Sequence, residues 1–214
     1  MRLGLISDIH ADHAALERAF KVLERQGADK VVCMGDLVEK GPEGDRVVET
    51  LRANAIPTIR GNHDENVLRI VAELGRNELA EPLNDQTLSY LSELPEGRDY
   101  VWDGVRVKIA HGMPGQIDTY VFAEQLPKRF KRAVRSLEAD VLLLGHTHRP
   151  MQLNVRGLRV INPGSVAGSR ERDSHTCALL RLPSLELSVY SLDNGSELPL
   201  PPLEAEPDVD DASS

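Results

Sequence analysis

The chain has no excess of positive charge, no long apolar run and almost no cysteine, and each shortage removes a class of function. Across 214 residues, 25 basic side chains face 34 acidic ones, for a net charge of −9. Five of those acids stand in the closing stretch 204–214, which holds no base, so the body before it carries −4. General affinity for nucleic acid or for an anionic membrane needs a basic footprint that this balance does not supply. The local exception is Lys128, Arg129, Lys131, Arg132 and Arg135. With Phe130, Val134 and Leu137 at helical spacing among them, they read as the solvated face of an outer helix. No apolar run approaches membrane-spanning length, and 3–7 is too short a stretch before Asp8 for a signal peptide. Only Cys33 and Cys177 are present, far apart within apolar stretches, which predicts two reduced core thiols in a cytoplasmic protein. No internal repeat occurs. The length suits one domain with a substantial core, placed at 1–202, followed by an acidic, disordered tail at 203–214.

What is there is an alternation of apolar runs and polar turns. Residues 3–6 make a short buried-type strand closed by Ser7, Asp8, Ile9 and His10. Asp12 then caps a helix with Leu16, Ala19, Phe20 and Leu23 at helical spacing, stopped by Gly27. Residues 31–34 form a second strand ending in Gly35-Asp36, and Val47, Val48 and Leu51 mark a second helix. This order predicts βαβ units with parallel strands, whose ligands sit at the strands' carboxyl ends. A largely β-branched run at 56–59 makes a third strand, which delivers Gly61-Asn62-His63-Asp64 to the same edge. There Asn62 offers a neutral oxygen, His63 a proton donor, and Asp64 an N-cap or a partner for that imidazole. Residues 64–94 read as helix broken near Glu81-Pro82, with Asp85 a new cap. Asp103-Gly104, between 100–102 and 105–110, signals a hairpin whose second strand ends in His111. A helical region at about 121–137 leads to an apolar strand, 141–144, ending in Gly145-His146-Thr147-His148. Strands at 152–155 and 158–161 precede Asn162-Pro163-Gly164-Ser165, and 177–182 with 185–192 make a last hairpin. From Glu197 onward, proline and acid leave too little apolar content to fold alone.

Asp8, His10, Asp36, Asn62, His63, His111, His146 and His148 thus collect at strand ends. Five of the seven histidines fall there, and only His13 and His175 do not. Clustered carboxylates and imidazoles need a compensating charge, which a dication supplies. Asp8 with His10, and His146 with His148, are i, i+2 pairs that extended backbone aims to one side. A nitrogen and oxygen donor set without thiolate fits Mn²⁺, Fe or Zn²⁺ in a catalytic site better than a structural zinc. The seven potential ligands exceed one ion's share, so two ions sharing a bridging carboxylate are expected.

The ordered set Asp8-x-His10, Gly35-Asp36, Gly61-Asn62-His63-Asp64, His111 and Gly145-His146-x-His148 resembles the calcineurin-like metallophosphoesterase superfamily. Asn162-Pro163-Gly164-Ser165 is similar to its bacterial phosphodiesterase branch. The resemblance implies an α/β fold, a four-layer αββα sandwich of two mixed β-sheets with outer helices. It implies that Asp8, His10, Asp36 and His148 hold one metal and Asp36, Asn62, His111 and His146 the other, with Asp36 bridging. The ions would be two divalent metals, Mn²⁺ favoured, with Fe, Zn²⁺, Ni²⁺ or Co²⁺ open. A hydroxide between them would attack phosphorus while His63 stabilises the transition state or protonates the leaving oxygen. The implied partner is a small phosphoester substrate, with phosphodiesters favoured.

Departures from the pattern bear on substrate. Ala11 stands where the bacterial phosphodiesterases often have glycine. Glu39 and Lys40 stand where serine/threonine phosphatases and dinucleoside-tetraphosphate hydrolases usually have Asp and Arg, so Lys40 would meet phosphate as a point charge. Asn62, Lys40 and Arg170 are the expected substrate contacts. Arg170 and Arg172 reach phosphate only if their loop folds over the site. The alternatives kept open are a monoesterase or phosphoprotein phosphatase, a dinucleoside-polyphosphate hydrolase, and a non-catalytic metal-binding scaffold such as the retromer subunit of this fold.

Overall fold

The computed structural model describes residues 1–168, 170–200 and 203, so the expected tail, Leu203 apart, lies outside the described residues. Strand β1 (Arg2–Ile6) leads through the first site loop to helix α1 (His13–Arg25). The Asp12 side chain caps α1 by accepting from Ala15 N at 2.9 Å, which satisfies one of the helix's orphan donors. Strand β2 (Lys30–Cys33) and helices α2 (Gly44–Ala53), α3 (Asn62–Glu73) and α4 (Asp85–Glu93) follow. Then come β3 (Gly97–Trp102), β4 (Val105–Ala110), α5 (Lys128–Val134) and β5 (Val141–Leu143). The chain closes with β6 (Pro150–Val155), β7 (Leu158–Pro163), β8 (Thr176–Arg181), β9 (Glu186–Ser191) and β10 (Glu197–Leu198).

Among the described residues ten strands make two mixed five-stranded sheets, ordered β10-β9-β8-β1-β2 and β3-β4-β5-β7-β6. In the first, β1 pairs parallel with β2 and antiparallel with β8. In the second, β4, β5 and β7 run parallel. Side-chain alternation sorts each strand between two cores. Leu3 and Leu5 of β1 meet Val107 and Ile109 of β4 and Val141 and Leu143 of β5 between the sheets. Cys177 and Leu179 of β8 instead face Leu16, Ala19 and Leu23 of α1 and Val47, Val48 and Leu51 of α2. On the far side Leu142, Val160 and Leu153 pack against Phe130 and Val134 of α5. The result is helices, sheet, sheet, helix in four layers. Cys33 and Cys177 are free and buried. Among the described residues no helix is long and apolar enough to cross a membrane.

The hairpin at Asp103-Gly104 has φ of 50° and 78° at its two central residues, the geometry a two-residue primed turn requires. Four expectations are corrected. Residues 56–59 do not form a regular strand. They make a single bridge, Cys33 with Thr58, because Pro57 has no N–H to donate to a ladder. The break after α3 spans more than Glu81-Pro82, and Asn84, not Asp85, caps α4 by accepting from Thr87 N at 2.8 Å. The helix expected over 121–137 shrinks to Lys128–Val134, starting at Pro127, with 112–127 folded as turns around Pro114 and Gly115. Chain beyond Glu197 is not wholly unstructured, since β10 pairs with β9, and Leu198 and Leu200 pack on the inter-sheet core. On α5, Phe130 and Val134 are buried while Lys128, Arg129 and Arg132 face solvent.

Candidate metal centre

The carboxyl ends of β1, β2, β4 and β5 converge where the two sheets meet. The loops are zipped together by backbone. Asp8 N donates to Gly35 O at 3.0 Å, Ile9 N to Asp36 O at 2.8 Å, and Gly145 N to His111 O at 2.8 Å. Both Asp8 oxygens accept from His146 N, tying the first sheet to the second. Glycines make the approach possible. A Cβ on Gly61 would lie 2.1 Å from Asp36 Oδ1, and one on Gly145 would lie 2.1 Å from Ser7 Oγ.

The i, i+2 pairs do not converge through extended backbone. Asp8, His10, Asp36, His146 and His148 all have left-handed φ, between 50° and 68°. Such conformations cost about 1–3 kcal/mol each in non-glycine residues and persist only where the surroundings impose them. Ala11, at φ 57° and wholly buried, is held the same way. Glycine would adopt this conformation without strain.

These turns gather two overlapping groups. Asp8, His10, Asp36 and His148 form one, and Asp36, His111 and His146 the other, each with one potential ligand atom per residue and all such atoms within 4.8 Å. His10 Nε2 lies 3.2 Å from His148 Nε2 and 3.7 Å from Asp36 Oδ2. Asp36 Oδ2 is also 3.3 Å from His111 Nε2, and Asn62 Oδ1 lies 3.0 Å from the same nitrogen. Outer contacts fix the rings. His111 Nδ1 donates to Met34 O at 2.6 Å, which leaves Nε2 as the nitrogen that faces inward, and the His146 ring bonds the Asp118 backbone. Among the described residues His10 Nδ1, Asp36 Oδ2 and His146 Nε2 are buried without a hydrogen-bond partner. Orphaned polar atoms around two buried carboxylates are the setting a cation completes, and a nitrogen and oxygen donor set fits a divalent transition metal.

The electrostatics agree with that need. Burial works against ionised Asp36 and Asp8, yet the neighbouring histidines hold both carboxyls below their ordinary range. Burial would depress His111, but Asp36 and Asp8 overturn it and raise the ring to about 10. His10 and His146 are pushed down by burial, to about 3 and about 4, so each presents a neutral ring.

His63 lies in the first turn of α3, its N–H donating to Asp36 Oδ1 at 2.9 Å. Its ring stands edge-on to His10, with centroids 4.9 Å apart. Asp64 is neither its partner nor the N-cap. Gly61 is the N-cap, and the Asp64 carboxylate accepts from Gly61, Asp36, Leu37 and Val38 backbone N–H groups. It therefore staples the Asp36 loop to α3. The partner of His63 Nδ1 is Glu39, which also accepts from Asn66, while Lys40 Nζ meets His63 Nε2. Burial, and then Arg170 and Arg172, bring Lys40 down to about 8, and Arg170 of the loop after β7 reaches the site, its Nη2 3.1 Å from His148 Nδ1.

Two participants carried no signal by which the sequence reveals them, and a third, Glu39, was met only as a departure from the phosphatase pattern. Glu39 pairs with His63 only because the Asp36 loop folds back on α3. Tyr120, in the irregular stretch before α5, stacks on His146 with centroids 3.9 Å apart. Asp173 bonds His148 Nδ1 at 2.6 Å. Asn162 proves architectural, its amide holding Gly145 O and Thr147 Oγ1. His13 and His175 stay out, on Thr50 and Asp193.

Comparison with known proteins bears on this arrangement. A phosphodiesterase of Escherichia coli, YfcE, is 27% identical over 178 residues, covering 78% of this chain and 80% of its own. A symmetrical bis(5'-nucleosyl)-tetraphosphatase of Delftia acidovorans is 30% identical over 66% of this chain and 50% of its own. A crystal structure of a metallophosphoesterase from Sphaerobacter thermophilus matches with a TM-score of 0.66 at 26% identity, covering 88% of this chain and 86% of that one. The profile of the calcineurin-like phosphoesterase superfamily domain matches residues 1–184, and the chain belongs to that superfamily.

Proposed function

We propose that the chain is a dinuclear metal-dependent phosphodiesterase acting on a small phosphoester. The observation that carries this reading is the pair of ligand groups sharing Asp36. Asp8, His10, Asp36 and His148 would hold one ion and Asp36, Asn62, His111 and His146 the other, with Mn²⁺ favoured. Bound divalent ions lower the pKa of water toward neutrality and neutralise charge on phosphoryl oxygens. The chain's own residues do the rest. Glu39 accepts a hydrogen bond from His63 Nδ1, and with Lys40 turned from Nε2 to the substrate's phosphate, a ring protonated on Nε2 as well would give that proton to the departing oxygen. Lys40 and Arg170 are the substrate's phosphate contacts, with Asn62 beside them. The two free buried thiols fit a reducing compartment, and we place the protein in the cytoplasm.

The test is kcat/KM of His63→Ala against diesters with leaving groups of graded pKa, with metal content measured in parallel. General acid catalysis is worth about 10²–10⁴-fold, so the loss should approach that range for alkyl leaving groups and shrink for nitrophenyl ones. An equal loss across the series removes the acid role, and loss of metal makes His63 a ligand.

A second reading rests on the positive charges of Arg170 and Arg172 acting on Lys40, since a polyphosphate brings charges that a simple diester lacks. The Delftia acidovorans relative carries a name of that kind. Initial rates with Mn²⁺ on an aryl diester, an aryl monoester and a dinucleoside polyphosphate separate the readings. No hydrolysis of any, with two metals bound, returns the chain to a scaffold.

A further inference from the structure

The loop between β7 and β8 is anchored at both ends over the first group of the metal centre. Val166 N donates to Ser7 O and Ala167 N to Asp8 O, beside the start of the site. At the other end Ser174 Oγ accepts from Ser165 N at 2.9 Å and bonds Thr176 Oγ1 at 2.7 Å. Between these anchors the Asp173 side chain is fully buried and faces two partners. Its Oδ1 lies 2.6 Å from His148 Nδ1 and accepts from Arg170 Nη2 at 2.7 Å, and its Oδ2 accepts from Arg170 Nε at 3.0 Å. Arg170 N also donates to Oδ2, at 3.1 Å, which closes the turn on itself. Arg170 Nη2 also lies 3.1 Å from His148 Nδ1, but the carboxylate is the shorter contact and can only accept, so a hydrogen on Nδ1 points at Asp173 Oδ1. That tautomer leaves the Nε2 lone pair facing Asp8, 3.3 Å away, and His10. Burial pushes Asp173 up, but Arg170 and His148 outweigh it and keep the carboxyl below its ordinary range, hence ionised.

From this geometry we infer that Asp173 is a positioning residue that sets the His148 ring for a metal and, through the same carboxylate, aims Arg170 at the substrate's phosphate. The inference rests on the phosphoesterase reading for the role of Arg170 and on the ligand role of His148. A carboxylate behind a ligating imidazole fixes its orientation and raises its basicity, and removing such a partner typically costs about 10–100-fold in metal affinity or activity. Both guanidinium nitrogens on the Nε–Nη2 side are taken by Asp173, so the direction of Nη1 is fixed before substrate arrives. One carboxylate thereby links metal occupancy to phosphate capture, and no other described side chain bonds both His148 and Arg170.

Calorimetric titration of metal-free protein with Mn²⁺ tests the link in wild type, Asp173→Asn, His148→Ala and the double variant. Asp173→Asn should weaken binding by about 10–100-fold in the wild-type background and do nothing further where His148 is already gone. An equal loss in both backgrounds, or no loss in either, overturns the inference. Arg170→Ala should raise KM for an aryl diester while metal affinity holds, whereas Asp173→Asn should change both. If Asp173→Asn fails to fold, the wild-type protein still decides. In the Zn²⁺-loaded form, long-range ¹H–¹⁵N spectra should place the His148 proton on Nδ1, and a proton on Nε2 ends the proposal. Should no phosphoester be hydrolysed at all, the functional reading falls, while calorimetry and the tautomer still judge Asp173.

Discussion

At the mouth of the site Lys40 stands against His63, and burial together with Arg170 and Arg172 lowers its ammonium to about 8. A cation whose pKa falls this far is charged below pH 8 and neutral above it. Capture of an anionic substrate should therefore weaken as pH rises through about 8, producing an alkaline limb in kcat/KM. Lys40→Arg keeps its charge throughout and should move that limb upward. Lys40→Met should erase it and lower kcat/KM about tenfold or more below pH 8, the worth of a hydrogen bond to a charged group. A pH–rate profile from 6 to 10 decides, and a limb that stays near 8 in Lys40→Arg belongs to another group. The identity of the clustered residues was legible because metal-type side chains directly follow apolar runs. Their means of convergence was not. Left-handed backbone at Asp8 and His10 is held by hydrogen bonds to the loop after β2, which no local pattern records. The pairing of Glu39 with His63 and the part played by Asp173 were hidden for the same reason, since each acts on a histidine far from it in sequence.

Among the elements, runs with clear periodicity and strong punctuation were read well, and ambiguous ones were not. The α1 stripe and the Asp103-Gly104 hairpin both carry explicit signals. The stretch before α5 has Val121 buried without helical backbone, because turns at 113–116 and 122–125 satisfy its polar groups instead. β10 was missed because two residues are too short to show a period, and its stability comes from β9. Glu197 pairs with Tyr190 and Leu198 with Val189, while Leu198 and Leu200 pack on the inter-sheet core. Truncation after Ser196 should thus cost about 2–3 kcal/mol, from two partly buried leucines at about 1.5–3 kcal/mol each when fully buried. At roughly 2–4 °C per kcal/mol for a chain of this size, Tm should fall by about 4–12 °C. Truncation after Leu203 should leave both Tm and turnover unchanged. Calorimetric melting of the two truncations checks this, and an equal fall in both places a docked segment beyond 203.

For the whole molecule, the two sheets bring their most charged loops together at the place where they are least able to tolerate charge. Asp8 and Asp36 are buried, and in the metal-free protein a protonated His111 offsets them, its ring raised to about 10 by those carboxylates against its burial. The sign follows directly. A histidine whose folded pKa lies above its unfolded value stabilises the fold fully below about 6.5, and that stability is lost as pH rises toward 10. A divalent ion held by His111 would have to displace the proton on Nε2, so its binding should tighten with pH. Mn²⁺ at about 100 times its Kd should add about 2.7 kcal/mol, or a Tm higher by about 5–11 °C than in chelator. At fixed total Mn²⁺ the increment should be larger at pH 8.5 than at pH 6.5, since the metal-free form loses the offset of His111 while the loaded form does not depend on it. Scanning calorimetry with and without chelator at the two values measures both quantities. No increment at either pH would mean that the folded chain holds no ion. An increment indifferent to pH would mean that His111 gives up no proton and lies outside the metal's reach.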